Sequence, residues 1–463
     1  MGAARLSPRK FSLILADAAI IYGGVILAMY LRLGWDGPPY ELNERNGWLK
    51  ISLVTVVCII NLYFYDLYDY VVMTNRRELL LRLVQALGIA WALLALLFYL
   101  APPLMVGRGV SMISVPLVLL LLLGWRIAIH TLTGHPEIGE KILVVGTGKA
   151  AIDTAEAVWD RRDAGYRIAG FVSENGAKPK DKLGKSEILG KAIDLEEIIR
   201  TEGIDRVVIA VRERRGAFPT EALLKMSLAG DVSIEECTSF YERITGKVHV
   251  DMLRPSWLIF AGRQRDTRLR SAFREVIHRG LALTGLILSL PIAIITAILI
   301  KLTSRGPIFY YQERVGKNGH VFNVIKFRSM KVDAEADGKP VWAASNDERT
   351  TFIGSVIRKI RVDEIPQFWN IVKGEMSFVG PRPERPHFVR QLAQEIPYYE
   401  HRHLVAPGLT GWAQVKYPYG ASVDDAIQKL QYDLYYIKNQ SLTLDIVIVF
   451  DTIKTVLFGA GAR

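Results

Sequence analysis

The chain has 463 residues, with 58 Lys and Arg against 47 Asp and Glu, which leaves a formal net charge of +11. Half of the residues are hydrophobic and only 23% are charged, which excludes a disordered or collagen-like chain. The length predicts two to four domains at roughly 100–200 residues each, and two distant cysteines, Cys58 and Cys237, exclude a disulfide framework or a cysteine-based metal site.

In chain order, the first elements are four apolar stretches, at residues 11–31, 49–65, 83–101 and 110–129. Each approaches the roughly 20 residues that a helix needs to cross hydrocarbon. Residues 1–135 are therefore predicted to form a membrane α-helical N-terminal bundle. Asp17 lies near one end of the first stretch and is read as an interfacial or helix-packing residue. Arg5, Arg9 and Lys10 precede the first helix, Arg76, Arg77 and Arg82 separate the second from the third, and Lys141, Lys149, Arg161 and Arg162 follow the fourth. The loop after the third helix carries only Arg108, while the first outside loop holds Arg32 and Arg45. The positive-inside rule then puts the N-terminus, the middle loop and everything after His130 in the cytoplasm.

From Lys141 the pattern alternates between strands and helices. Strands at residues 141–145, 167–173, 205–211 and 231–235, with helices at about 149–162, 194–202 and 219–229, predict an α/β Rossmann-like middle domain over residues 139–243. Gly146-x-Gly148-x-x-Ala151 fits a relaxed dinucleotide fingerprint and makes Gly146 and Gly148 candidate cofactor-binding residues. Glu174 is the only acidic partner for it, at long spacing, and the competing reading is a tight strand–helix turn in a regulatory or assembly domain. A nucleotide-sugar dehydratase or epimerase would add a Tyr-x-x-x-Lys, and none of the 19 tyrosines has lysine four positions later.

Residues 244–270 read as a basic connector with a hairpin, residues 248–253 against 257–260. A fifth apolar stretch, residues 281–300, has arginines or lysines on both flanks, so the charge asymmetry of a spanning helix is missing. Pro291 removes a backbone donor near its middle, and Ser289 can bond a freed carbonyl. The expectation is a re-entrant helix–break–helix with Ser289 and Pro291 at the break, against the alternative of a proline-kinked fifth span. It opens a compact region over residues 271–463. At the far end, residues 432–459 are amphipathic and suit either the membrane interface or core packing.

The chemistry is read from one constellation. Ile365, Phe368, Trp369 and Val372 recur at helical spacing, Gly374 is a natural stop, and Pro366 is acceptable only in a first turn. Asp363 and Glu364 are thereby predicted at a helix N-terminus. An alternating segment, residues 321–327, is predicted to put Lys326 and Arg328 on one side. Prolines on both sides of Arg382 restrict its backbone. These cations, with Arg358, around an acidic pair are what a diphosphate and a divalent metal require: arginine forks bind phosphate oxygens, one carboxylate takes a hard cation such as Mg²⁺, and the other can attack phosphorus. The bland alternative is a surface ion-pair network. His401 and His403 form an HxH without further ligands nearby and read as surface or packing residues.

Glu313-Arg314-Val315-Gly316, residues 326–330, Asp363-Glu364-Ile365-Pro366-Gln367, residues 379–383 and residues 407–415 together resemble the bacterial sugar transferases that move a sugar 1-phosphate to polyprenyl phosphate. The resemblance covers residues 273–459, and the four-helix start with a nucleotide-binding-like domain is similar to the family's long form. It implies that residues 271–463 are an α+β monotopic catalytic domain. It further implies a multi-pass protein of the bacterial inner membrane with cytoplasmic soluble domains, Mg²⁺ dependence, an aspartyl-phosphosugar intermediate and a homodimer. By motif, Asp363 would be the nucleophile, Glu364 the metal ligand, and Lys326, Arg328, Arg358 and Arg382 the phosphate-binding residues. Arg361 departs from the small hydroxyl residue usual at its position, and Ser289-Leu290-Pro291 departs from adjacent Ser and Pro. The expected reaction is hexose 1-phosphate transfer from UDP-glucose or UDP-galactose to undecaprenyl phosphate, with UMP released, at the start of exopolysaccharide, capsule or O-antigen synthesis. A second class is a membrane scaffold or nucleotide-sensing component of a polysaccharide export complex. Nucleic acid is not an expected partner, because the basic residues cluster beside apolar segments without aromatic platforms.

Overall fold

Helix α1 (Pro8–Leu33) buries Asp17, Ile21, Val25, Ala28 and Met29, a spacing of three and four that aims one stripe at its neighbours. After the short α2 (Gly37–Glu44) come α3 (Gly47–Phe64), α4 (Arg76–Leu100) and α5 (Arg108–Thr133). Helix α5 buries every fourth residue from Val110 through Ser114, Val118 and Leu122 to Arg126. Gly24 permits its close approach to α1, because a Cβ there would lie 2.9 Å from Val118 Cγ2. The computed structural model describes residues 8–68, 76–133, 140–161, 165–173, 181–211, 220–230, 232–253, 268–331, 349–418, 420 and 422–458, which fall into two compact units, one within Arg5–Cys237 and the other within Thr238–Arg463. Among the described residues, Phe11–Leu33, Gly47–Phe64, Glu78–Leu100 and Arg108–Ile129 are long and apolar enough to cross a membrane, as expected, and by length and composition so is Ser271–Thr303, which keeps a fifth span open.

Asp17 is a helix-packing residue with a partner that local pattern could not supply. Its carboxylate pairs with the Arg126 guanidinium, whose Nη1 also donates to Leu67 O at 2.7 Å, and both side chains are fully enclosed. Removing one partner strands the other's charge, at about 3–5 kcal/mol. Arg126→Leu should therefore lower the melting temperature in detergent sharply, whereas Asp17→Leu with Arg126→Leu should recover most of the loss.

The same unit holds a parallel sheet. Strands β1 (Glu140–Val145), β2 (Tyr166–Ser173), β4 (Ser186–Lys191), β5 (Arg206–Ile209) and β6 (Ser233–Glu236) run parallel in the order β4-β2-β1-β5-β6, and the two-residue β3 (Lys182–Leu183) pairs antiparallel at the β4 edge. Helices α6 (Lys149–Asp160), α7 (Leu195–Glu202) and α8 (Thr220–Ala229) connect them. The Rossmann-like expectation holds, with β3 and β4 added: Gly184 and Gly190 interrupt that segment and mask its alternation. The order reverses between β1 and β5, the place where open α/β sheets bind ligands. Gly146 turns the chain there at φ 123°, a conformation suited to glycine, and Gly148 caps α6. Glu174 lies outside the described residues.

After α9 (Cys237–Thr245), Val250–Met252 is a 3₁₀ turn and not the first strand of a hairpin; residues 257–260 lie outside the described residues. Helix α10 (Arg268–Thr303) is continuous, so the expected break at Pro291 is a proline inside a helix, with Ser289 Oγ donating to Leu286 O at 3.3 Å. One face of α10 packs on the domain along its length. Ala282 meets Ile371 and Met376, and Ile300 meets Phe327 and Ile357. The other face leaves Leu283, Ile287, Leu288, Ile294, Ile295 and Leu302 exposed. A hairpin of β7 (Phe309–Val315) and β8 (Val321–Phe327) follows, then α11 (Phe352–Lys359), α12 (Gln367–Lys373), β9 (Ser377–Val379), α13 (Pro386–Glu395), β10 (Gly408–Thr410), α14 (Trp412–Lys416), α15 (Val423–Lys438) and α16 (Leu442–Phe458).

Helix α16 is amphipathic as read, with one side packed on the domain through Leu444 and Ile448. Its aspartates face inward: Asp445 lies 2.6 Å from Arg274 Nε, and Asp451 2.9 Å from Lys416 Nζ. His278 Nε2 is 3.2 Å from the same Asp445 oxygen, and its Nδ1 is 2.6 Å from Ser377 Oγ, so α10 is fastened to α16 and β9 by buried polar contacts. Ile446, Ile453 and Val456 are on the exposed side.

Candidate active site

The acidic pair does not open a helix. Helix α11 ends at Lys359, Arg361 turns the chain in the left-handed region at φ 57°, and Val362–Glu364 is a separate 3₁₀ turn before α12. Packing holds that turn, since Val362 and Ile365 insert beside Ile300, Phe327 and Ile357. A non-glycine residue there costs about 1–2 kcal/mol, and local patterns of period and capping do not announce it. On α12, Phe368 and Val372 pack as expected, but Trp369 falls on the other side and is 47% exposed.

Asn370 joins α12, the helix that follows the acidic turn, to the strand that bears Lys326. Its Nδ2 donates to Asn323 O at 2.8 Å and to Glu375 Oε2 at 2.7 Å, and its Oδ1 accepts from Ile325 N–H at 3.0 Å. Asn370→Leu would leave buried main-chain groups unpaired at about 1–3 kcal/mol each. The variant should melt markedly lower than the wild type in a thermal scan.

Four charged side chains then converge. Arg382 Nη2 donates to Glu364 Oε1 at 2.7 Å, Lys326 Nζ lies 3.6 Å from the same oxygen, and Arg361 Nη1 is 4.0 Å from Oε2. Gln414 accepts from Arg382 Nη1 at 3.2 Å, and its own Nε2 is buried without a partner. Asp363 is buried beside Glu364 and receives no hydrogen bond from any described residue. Burial, reinforced by the Glu364 charge, pushes its carboxyl up to about 6, against the opposing pull of Lys326, Arg382 and Arg358. Burial also opposes the Glu364 charge, yet Arg382 and Lys326 outweigh it and hold that carboxyl well below the usual range. Two adjacent carboxylates are thus differentiated, one tied to cations and one left free.

Lys326, Asp363, Glu364 and Arg382 come together as anticipated, with Arg358 near enough to act on Asp363. Arg328 does not join them. Strand β8 ends at Phe327, and the next guanidinium turns back to the end of α10, donating to Arg305 O and Ser304 O at 2.9 Å each. It caps the end of that helix, apart from the other candidate cations. Gln414 and Asn370 were absent from the candidates; Gln414 falls within the motif at residues 407–415, and Asn370 follows the acidic motif on α12.

Among the described residues no three His, Cys, Asp or Glu side chains cluster as metal ligands. The donor set at Asp363 and Glu364 fits a magnesium ion that arrives with a diphosphate, since Mg²⁺ takes one or two carboxylates and completes its shell with phosphate oxygens and water.

Residues 269–459 match the family described as bacterial sugar transferase, and residues 64–217 match a CoA-binding domain. A relative from Aeromonas hydrophila, a UDP-N-acetylgalactosamine-undecaprenyl-phosphate N-acetylgalactosaminephosphotransferase, is 42% identical over 263 residues, 56% of this chain and 60% of that protein. The undecaprenyl-phosphate glucose phosphotransferase of Komagataeibacter xylinus is 32% identical over 351 residues, 72% of this chain and 62% of its own length. A Bacillus subtilis (strain 168) protein named for N-acetylgalactosaminyl 1-phosphate transfer to undecaprenyl phosphate is 49% identical over 131 residues, 28% of this chain and 73% of that one. The chain thus spans about 60% of the length of the first two relatives.

Proposed function

The chain belongs to the bacterial sugar transferase family, and on that premise we propose that it transfers a sugar 1-phosphate from a UDP-sugar to undecaprenyl phosphate. The observation that carries the reading is the buried Asp363 carboxylate, which receives no hydrogen bond among the described residues, beside a Glu364 held by Arg382 and Lys326. Asp363 attacks the sugar-bearing phosphorus, the bond from that phosphorus to the bridging oxygen breaks, and UMP leaves. An oxygen of undecaprenyl phosphate then attacks the same phosphorus, the aspartyl–phosphorus bond breaks, and the diphosphate-linked sugar departs with the carboxylate restored.

Arg382, Lys326 and Arg358 bind the phosphate oxygens, and Arg382 reaches them by exchanging part of its contact with Glu364. A magnesium ion held by Glu364 and the diphosphate supplies charge neutralisation when bound. Positioning and electrostatics provide most of the rate gain in such transfers. The relatives' names include glucose and N-acetylgalactosamine, so the donor class is widened from UDP-glucose and UDP-galactose to include UDP-N-acetylhexosamines.

The lipid substrate requires the site to face a bilayer from the side where UDP-sugars are made, the cytoplasm. The packing of α10 supports a helix that stays on that side: two apolar clusters of the same unit pack on it, one at Ala282 and the other at Ile300, and a helix crossing the bilayer between those points would carry one of them away from the other. The exposed face of α10, with Ile446, Ile453 and Val456 of α16, supplies apolar surface for the membrane. The deciding experiment is UMP release by the purified chain from UDP-glucose, UDP-galactose and UDP-N-acetylgalactosamine, with and without undecaprenyl phosphate. Release from none of them would favour the scaffold reading.

A further inference from the structure

The turn Pro381-Arg382-Pro383 carries the cation that meets Glu364, and its prolines cannot donate main-chain hydrogen bonds. Its rigidity comes from outside. Four consecutive carbonyls each accept from a different place: Pro381 O from Gly408 N–H at 2.9 Å, Arg382 O from Arg402 Nη2 at 3.0 Å, Pro383 O from Arg314 Nη1 at 3.0 Å, and Glu384 O from Val315 N–H at 2.9 Å. Two of these donors are guanidinium groups from distant parts of the chain, Arg314 on β7 and Arg402 after α13, and both are themselves held. Arg402 is buried, with Nη2 2.9 Å from Asp433 Oδ2 and Nη1 donating to Tyr399 OH at 2.6 Å. Arg314 donates to Glu384 Oε1 at 3.0 Å and to Gln312 Oε1 at 2.6 Å. Neither forms a hydrogen bond or ion pair with Asp363 or Glu364.

We infer that Arg314 and Arg402 are positioning residues that act through the backbone of the Pro-Arg-Pro turn to aim the Arg382 guanidinium at the diphosphate of the donor. This rests on the transferase reading above and adds what that reading lacks, a reason why Arg382 points where it does. A planar fork anchored on one side can grip a carbonyl on the other, which a lysine does poorly. A displacement of about 1 Å at a binding cation can cost about a hundredfold in rate.

The test is a cycle of variants read by UMP release, kcat and KM separately. Arg402→Met combined with Asp433→Leu removes both buried charges together, so no lone charge is stranded. It should lower kcat about 10- to 100-fold. In an Arg382→Lys background the same pair of changes should cost less than about threefold more, because the group being aimed has gone. A merely structural role would give multiplying losses, and that result, or an unchanged kcat in the first variant, overturns the inference. Should the Arg402 pair fail to accumulate as folded protein, Arg314→Met carries the same cycle from the other guanidinium. A wild-type chain that releases no UMP overturns the transferase reading itself, whereas an active wild type with multiplying losses overturns the positioning role alone.

Discussion

Asp363→Asn is expected to abolish UMP release, by about four orders of magnitude or more, as removal of a nucleophile does elsewhere. Asparagine keeps the volume of the side chain but offers phosphorus no anionic oxygen. Labelled sugar phosphate should be trapped on the wild-type chain when the lipid acceptor is omitted, and the variant should trap none. Retained trapping would reject the assignment. The fold should survive, because the carboxyl is raised in the folded chain by burial and by Glu364. A raised acid loses folding stability as pH rises from its unfolded value near 4 through about 6. At neutral pH the ionised Asp363 therefore disfavours the fold, and the asparagine variant should melt no lower than the wild type. The same shift sets the pH profile: kcat/KM of the wild type should fall on the acid side of about 6, where the pair takes up a proton.

Hydropathy and alternation made the larger architecture legible. Four helices rest on runs of apolar residues long enough to speak for themselves, and the core strands β1, β2 and β5 are apolar enough to stand out between turns. What escaped depended on partners distant in sequence or on backbone conformation. Asp17 was visible as a charge in an apolar stretch, but Arg126 is 109 residues away. The amphipathic stretch of α16 left interface and core packing open, because the partners of its aspartates, Arg274 and Lys416, lie far away in sequence. At the site, residue types and motif order brought out Lys326, Asp363, Glu364 and Arg382, whereas the left-handed Arg361 and the early end of β8 had no local signal. That last residue of strand decides the fate of Arg328, since alternation beyond Phe327 predicts a side chain beside Lys326 and the chain has already turned away.

Glu364→Gln should separate binding from turnover. The wild-type carboxylate offsets Arg382 at 2.7 Å, Lys326 at 3.6 Å and Arg361 at 4.0 Å. Without that charge the three cations are offset only in part, by Asp363 and by Glu384 near Arg382, and the site becomes more attractive to a diphosphate. Binding of the UDP-sugar in the presence of a chelator should therefore hold or tighten, by up to about tenfold, since charge-assisted contacts to phosphate are freed from an internal competitor. Turnover should move the other way. The hard oxygen ligand for Mg²⁺ has been replaced by a neutral amide, so saturation with metal should require far higher concentrations, and kcat at ordinary Mg²⁺ should fall by about a thousandfold. Chelation of metal from the wild type should reproduce the lost turnover and be reversed by adding Mg²⁺ back, while the variant recovers little. Calorimetry of UDP-sugar binding alongside UMP release against Mg²⁺ concentration distinguishes the two effects. If kcat of the variant instead equals that of the wild type at every metal concentration, Glu364 is only the partner that keeps Arg382 in place, and the metal must be held by Asp363 and the substrate.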